Sequence, residues 1–124
     1  MENNKQLLYI EDNAHNRRII RKVLNKFGYQ VWEAENGLKG FEMISALKPP
    51  LVLLDISLPL MDGMQIAGKV KSIPELEKIP LIALTASAMR GDRERFLEAG
   101  CDDYLSKPVG ALELINMIEK HYPR

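Results

Sequence analysis

Three carboxylates, a hydroxyl and an ammonium stand where chemistry is expected, each directly after a short apolar run. Glu11-Asp12 follows residues 7–10, Asp55 follows 51–54, Thr85 follows 81–84, and Ser106-Lys107-Pro108 follows 104–105. Singly, each has a plainer reading. An acid after a strand is often a helix N-cap, a job that Asp12 or Asn13 could fill, and a lone Thr or Lys at a strand end is usually solvated. Capping does not explain their joint placement. Three carboxylates within a few ångströms repel one another, so one keeps its proton unless a cation neutralises them. Oxygen donors with no clustered His and no Cys beside them favour a hard ion such as Mg²⁺ over zinc or copper. Such an ion keeps positions open for water and a phosphoryl oxygen. Lys107 then offers a point charge and Thr85 a hydroxyl to other phosphoryl oxygens, while one metal-bound carboxylate attacks phosphorus to give an aspartyl phosphate. Asp55 suits that role best, because it ends a central buried run.

These groups meet only if the runs are strands sharing one carboxyl edge. Short apolar runs at 7–10, 31–32, 51–54, 81–84 and 104–105 alternate with stretches of helical spacing. In the first of these, Ile19, Ile20, Val23, Leu24 and Phe27 follow the i, i+3, i+4, i+7 pattern, with Arg17, Arg18, Arg21, Lys22, Asn25 and Lys26 on the other faces. Gly28 stands just past its end as a C-terminal cap. Further helices are predicted over about 38–47, ended by Lys48-Pro49-Pro50, over 64–71, over 90–99 with a stop at Gly100, and over 111–121. Strand and helix alternate five times, which predicts an α/β fold with an open five-stranded parallel sheet and helices on both sides. The runs at 51–54 and 81–84 are continuously apolar, so those strands should be central. In such a sheet ligands bind beyond the strands' carboxyl ends, where strand order reverses.

Composition bounds the rest. The chain has 124 residues, which makes residues 1–124 one domain. Its 46% apolar and 27% charged residues are near the average for a globular protein. Seventeen basic residues against seventeen acidic ones leave a formal charge of zero, which argues against direct nucleic-acid binding through bulk charge and against a polybasic membrane anchor. No apolar stretch nears the roughly 18 residues of a membrane span. The first five residues lack the apolar core of a signal peptide, so the expected compartment is the cytoplasm. Cys101, the single cysteine, excludes an internal disulfide and a cysteine-based zinc site.

Taken together, Tyr9-Ile10-Glu11-Asp12-Asn13, the stretch Leu53-Leu54-Asp55-Ile56-Ser57-Leu58-Pro59-Leu60-Met61-Asp62-Gly63, Leu84-Thr85-Ala86, and Ala99-Gly100 through Tyr104-Leu105-Ser106-Lys107-Pro108 resemble the receiver domain of two-component response regulators. The resemblance covers nearly the whole chain. It implies a flavodoxin-like (βα)5 three-layer sandwich with strand order 2-1-3-4-5. It implies two-component phosphorelay signalling, with Asp55 the phosphoacceptor for a phosphohistidine of a sensor or hybrid histidine kinase or of a histidine phosphotransfer protein. Asp12 would ligate Mg²⁺, with Mn²⁺ as a substitute, while Glu11 would act through water and Ser57 through its backbone carbonyl. Thr85 and Lys107 would bind phosphoryl oxygens, and the Lys107–Pro108 peptide is expected to be cis. Pro59 and Gly63 would shape the loop after the acceptor. Thr85 and Tyr104 would couple phosphorylation to the face of the fourth helix, fifth strand and fifth helix, which meets a downstream protein target. Such a domain is not an enzyme beyond its own phosphorylation and dephosphorylation. Ser57 and Ser87 occupy positions that in this family influence how long the phosphoryl group survives.

Other readings fit less well. A haloacid-dehalogenase-like phosphatase wants a second Asp two residues past the nucleophile, where this chain has Ser57. A flavodoxin-like electron carrier must cradle a flavin phosphate in a loop that here holds Glu11-Asp12, which would repel it. A receiver-like scaffold without phosphorylation would not need Asp12, Asp55, Thr85 and Lys107 together. His15 reads as a solvated residue opening the first helix, and His121 as a cation favoured by the last helical turn. The basic face around Arg17 and Arg21 reads as solvated surface, with docking of a phosphodonor helix as the minority reading. Cys101 reads as a small packing residue. The chain ends after the fifth helix, so no output domain is expected within it. A single-domain regulator and the receiver piece of a hybrid kinase both fit, and the stretch 88–95 resembles each.

Overall fold

A computed structural model describes residues 5–58, 61–86 and 92–123. In chain order the elements are β1 (Lys5–Ile10), α1 (Ala14–Lys26), β2 (Tyr29–Ala34), α2 (Gly37–Leu47), β3 (Val52–Asp55), α3 (Gly63–Ser72), β4 (Leu81–Thr85), α4 (Asp92–Ala99), β5 (Asp103–Ser106) and α5 (Ala111–His121). The strands form one parallel sheet in the order β2-β1-β3-β4-β5. This is the flavodoxin-like (βα)5 arrangement. β3 and β4, the continuously apolar runs, are central and buried along their whole length.

Side-chain alternation along each strand divides the interior into two layers. Leu8, Ile10, Val52, Leu54, Leu81 and Ala83 pack with Ile44, Ile66, Val70 and Phe96 of α2, α3 and α4. Leu7, Tyr9, Leu51, Leu53, Ile82 and Leu84 pack with Leu24 of α1 and with Leu114, Ile115 and Ile118 of α5. Strand order reverses between β1 and β3, where Ile10 pairs with Leu54. The crevice beyond their carboxyl ends is therefore the place for a ligand.

Most helix ends follow from local chemistry. Asn13, not Asp12, caps α1 by accepting the Asn16 N–H at 2.9 Å. Gly28 follows α1 at φ +90°, a conformation costly for any residue with a Cβ. Asp62 and Gln65 form a reciprocal capping box on α3, each accepting the other's backbone N–H at 2.9 and 3.0 Å. The α1 stripe differs from its sequence pattern. Leu24 is fully buried, with Ile20 and Val23 packed beside its cluster, but Ile19 and Phe27 are 48% and 41% exposed. Five apolar positions that include adjacent Ile19 and Ile20 span more of the helix than the sheet can cover. Pro59, Ser87 and the expected start of α4 at residue 90 lie outside the described residues.

The loop after β3 folds back tightly on its own strand. Gly63 donates its N–H to the Ile56 carbonyl at 3.2 Å, and a Cβ on it would lie 2.8 Å from the Asp55 carbonyl oxygen and 3.0 Å from the Ile56 Cα. Backbone on both sides leaves no slack. Gly63→Ala is therefore expected to destabilise the protein by about 1–3 kcal/mol in urea denaturation. Wild-type stability in this variant would show that the loop relaxes freely.

Candidate functional site

Among the described residues the buried polar side chains are Glu11, Asp55 and Thr85, at 1%, 4% and 6% exposure. All three stand at carboxyl ends of neighbouring strands. Glu11 lies just past β1, Asp55 ends β3 and Thr85 ends β4. One carboxylate oxygen each from Glu11, Asp12 and Asp55 lie within 4.8 Å of one another, with Asp12 exposed at the mouth. Because Asn13 caps the helix, the Asp12 carboxylate is not spent on that role.

Lys107 joins the two buried acids. Its Nζ donates to Glu11 Oε1 at 3.1 Å and lies 3.4 Å from Asp55 Oδ2. The Lys107–Pro108 peptide is cis, and the Lys107 N–H donates to the Thr85 carbonyl at 2.7 Å, fastening the end of β5 to the end of β4. Ser57, two residues past Asp55, donates its N–H to Asp55 Oδ1 at 3.1 Å. Tyr104 is set apart from this cluster. It pairs with Ala83 in the sheet, and its ring lies 5.8 Å from that of Phe96 on α4. Thr85, two residues beyond Ala83, shares that sheet face by strand alternation.

Two contributors are additional to the sequence reading. Tyr9, 1% exposed, donates its hydroxyl to Glu11 Oε1 at 3.0 Å. Its position two residues before the acid, on the same side of a strand, is the signal that could have found it. Arg17 is not the solvated residue expected of a basic helix face. It donates to the Glu11 carbonyl at 2.7 Å and pairs with Glu33 Oε1 at 3.3 Å, while Arg21 pairs with Glu33 Oε2 at 2.6 Å. Glu33 of β2 draws both guanidinium groups down onto the sheet edge, and Arg17 thereby braces the acidic loop. His15 is exposed. His121 Nε2 lies 2.9 Å from Asp103 Oδ2, joining the end of α5 to the start of β5, a partner its place on a helix end did not reveal. Cys101 is buried, which pushes its thiol up to about 12, as suits a packing residue.

The electrostatics follow from crowding. Burial, and then the charge of Glu11, push the Asp55 carboxyl up to about 6 against the opposing pull of Lys107. Burial would raise Glu11 as well, but hydrogen bonding with Asp55, the Lys107 ammonium and the Tyr9 hydroxyl hold it below its ordinary value. As pH falls, Asp55 is thus the member that gains a proton while Glu11 keeps its charge. The donor set is all oxygen and carries more negative charge than one lysine balances, which fits a hard divalent cation.

This crowding has a pH signature in metal-free protein. Asp55 titrates higher folded than unfolded, so its contribution lowers stability as pH rises from about 4 to about 6. Glu11 acts in the opposite sense, but only below its usual range. Asp55→Asn should therefore be more stable than wild type at pH 7.5 in chelator, with the gain shrinking toward pH 4. Urea denaturation at both pH values checks this, and a pH-independent difference would contradict it.

The sequence matches the family profile described as response regulator receiver domain over residues 7–119. It is 36% identical over 117 residues to the polar-differentiation response regulator DivK of Brucella anthropi, covering 94% of this chain and 95% of that one. Among solved structures, the receiver domain of a sensor histidine kinase from Pseudomonas aeruginosa PAO1 is 32% identical with a TM-score of 0.88, over 96% of this chain and 98% of that one. That structure is described with a magnesium ion coordinated in its active site cleft. The receiver domain of a signal transduction histidine kinase from Syntrophus aciditrophicus is 30% identical with a TM-score of 0.86, over 94% and 88% of the two chains. Fold, the meeting of acids at the β1–β3 reversal and these likenesses agree: the chain belongs to the response regulator receiver domain family of two-component signalling.

Proposed function

We propose that residues 1–124 form one receiver domain in which Asp55 accepts a phosphoryl group from a phosphohistidine of a sensor or hybrid histidine kinase, or of a histidine phosphotransfer protein. The observation that supports this most is the convergence of Glu11, Asp12 and Asp55 within 4.8 Å, with Lys107 reaching both buried acids. In the transfer an Asp55 oxygen forms a bond to phosphorus as the donor's N–P bond breaks, and the imidazole leaves. Glu11, Asp12, Asp55 and the Ser57 carbonyl would hold Mg²⁺, with Mn²⁺ able to substitute. The cation would supply charge neutralisation that favours the ionised Asp55 and an electrophilic hold on a phosphoryl oxygen. The Ser57 N–H orients the Asp55 carboxylate. The Lys107 ammonium and the Thr85 hydroxyl take the remaining phosphoryl oxygens.

The proposed domain is a signalling module that catalyses only its own phosphorylation and dephosphorylation. Its output is a population shift. Thr85 drawn toward the phosphoryl group would open room for Tyr104 to turn inward from its place against Phe96, remodelling the α4-β5-α5 face for a downstream protein. A groove of about 350 Å³ between α1 and the β5–α5 loop, lined by Tyr9, Ile19, Ile20, Lys107 and Pro108 among others, leaves apolar surface beside Lys107 where a donor's helix would seat. Because Arg17 and Arg21 are engaged with Glu33, that docking would rest on Ile19 and its neighbours rather than on free basic charge. No helix among the described residues is long and apolar enough to cross a membrane, and we place the protein in the cytoplasm, acting without direct nucleic-acid contact.

Incubation with acetyl phosphate and Mg²⁺ followed by intact mass measurement should show metal-dependent gain of one phosphoryl group. Asp55→Asn should abolish it, whereas Lys107→Ala should still label but fail to change affinity for a downstream partner. Unlabelled wild type, or labelled Asp55→Asn, would overturn the assignment. Tyr104→Ala should label normally yet make partner affinity insensitive to phosphorylation. Unaltered responsiveness would remove the aromatic switch while leaving the acceptor chemistry standing.

A further inference from the structure

We propose that the Tyr9 hydroxyl is a positioning group for the phosphorylated state, remaining on Glu11 Oε1 when Lys107 leaves that oxygen for the phosphoryl group. This rests on the reading that Asp55 carries phosphorus. Glu11 is 1% exposed, so each of its oxygens needs a donor from the protein or from a bound ion. Oε2 accepts the Asn13 N–H at 3.3 Å. Oε1 accepts two donors, the Tyr9 hydroxyl at 3.0 Å and the Lys107 ammonium at 3.1 Å.

The two donors differ in freedom. Tyr9 sits inside β1, paired with Glu33 of β2 and Leu53 of β3, and its ring packs in the core with Leu84. It has nowhere to go. Lys107 lies beyond the end of β5 on a flexible stem, its side chain is 26% exposed, and Asp55 Oδ2 is already 3.4 Å from its ammonium. An added phosphoryl group on Asp55 brings three new oxygens and more negative charge, and Lys107 is the cation placed to move onto it. With Tyr9 in place, Oε1 keeps a donor throughout that move. With phenylalanine there, the same move strips Oε1 of both of its protein donors, so the cost falls on the phosphorylated state. Before phosphorylation Lys107 alone still serves the oxygen.

The test uses the whole chain, wild type and Tyr9→Phe, which keeps the ring and its packing. Beryllium fluoride, a mimic of a phosphoryl group on a carboxylate, is titrated calorimetrically into Mg²⁺-saturated protein, and Mg²⁺ alone is titrated separately. Tyr9→Phe is expected to weaken beryllium fluoride binding about tenfold, the loss of one buried hydrogen bond to a charged group, with a clearly smaller loss of Mg²⁺ affinity because Lys107 still serves Oε1 before the mimic binds. Equal beryllium fluoride affinity in the two proteins overturns the proposal. So do equal losses for both titrants, since the hydroxyl would then be a general brace of Glu11. Wild type that binds beryllium fluoride but shows either pattern leaves the phosphoacceptor reading intact, whereas wild type that takes up neither beryllium fluoride nor a phosphoryl group overturns that reading itself.

Discussion

Two carboxylates, Glu11 and Asp55, are buried against each other with a single ammonium between them. That arrangement is costly. Removing charges from water carries a penalty that one imperfectly shared cation does not fully offset, and the upward displacement of Asp55 to about 6 expresses the shortfall. The unpaired charge has a chemical use. A crowded acidic site of this kind suits a divalent cation, and in the proposed mechanism the carboxylate held there is the one that reacts.

The scaffold makes such crowding tolerable by bringing the groups in on separate rigid elements. Parallel strands deliver their carboxyl ends to one edge, and the reversal of order at β1 and β3 opens a crevice there. Around that crevice the backbone is tied down. The Lys107 N–H fastens β5 to β4, Arg17 fastens the acidic loop to β2 through Glu33, and Gly63 lets the loop after Asp55 fold against its own strand. The acids therefore have little freedom to move apart and relieve their repulsion.

Strand alternation also separates the two duties of the domain. Tyr9, Glu11, Asp55 and Lys107 belong by their spacing to the layer of α1 and α5, while Thr85 and Tyr104 belong to that of α3 and α4. In the proposed mechanism the phosphoryl group is held from the first layer and sensed in the second, with Thr85 at the sheet's edge joining them. In that mechanism a change in charge at Asp55 would reach the α4-β5-α5 face through one strand, without rearranging the core.

Much of this was readable from one dimension. Apolar runs of strand length, helical periodicity between them and a polar group after each run determine an α/β fold and a common edge, because alternation and burial are local properties of a sequence. The acids, Thr85 and Lys107 were visible for the same reason: each directly follows its run. What only the tertiary structure decided are the contacts whose partners lie far apart in the chain. Whether Asp12 or Asn13 capped α1 was open until the Asn16 N–H was seen on Asn13. Arg17 looked like solvated surface because Glu33 reaches it only once β2 lies beside β1, and Ile19 looked like core because periodicity does not say how wide a strip of helix the sheet covers. Tyr9 was one apolar letter in an apolar run until burial left its hydroxyl a single kind of partner, the carboxylate two residues on. Sequence spacing reports which face a side chain leaves by; what it meets there depends on the packing of elements that are distant in the chain.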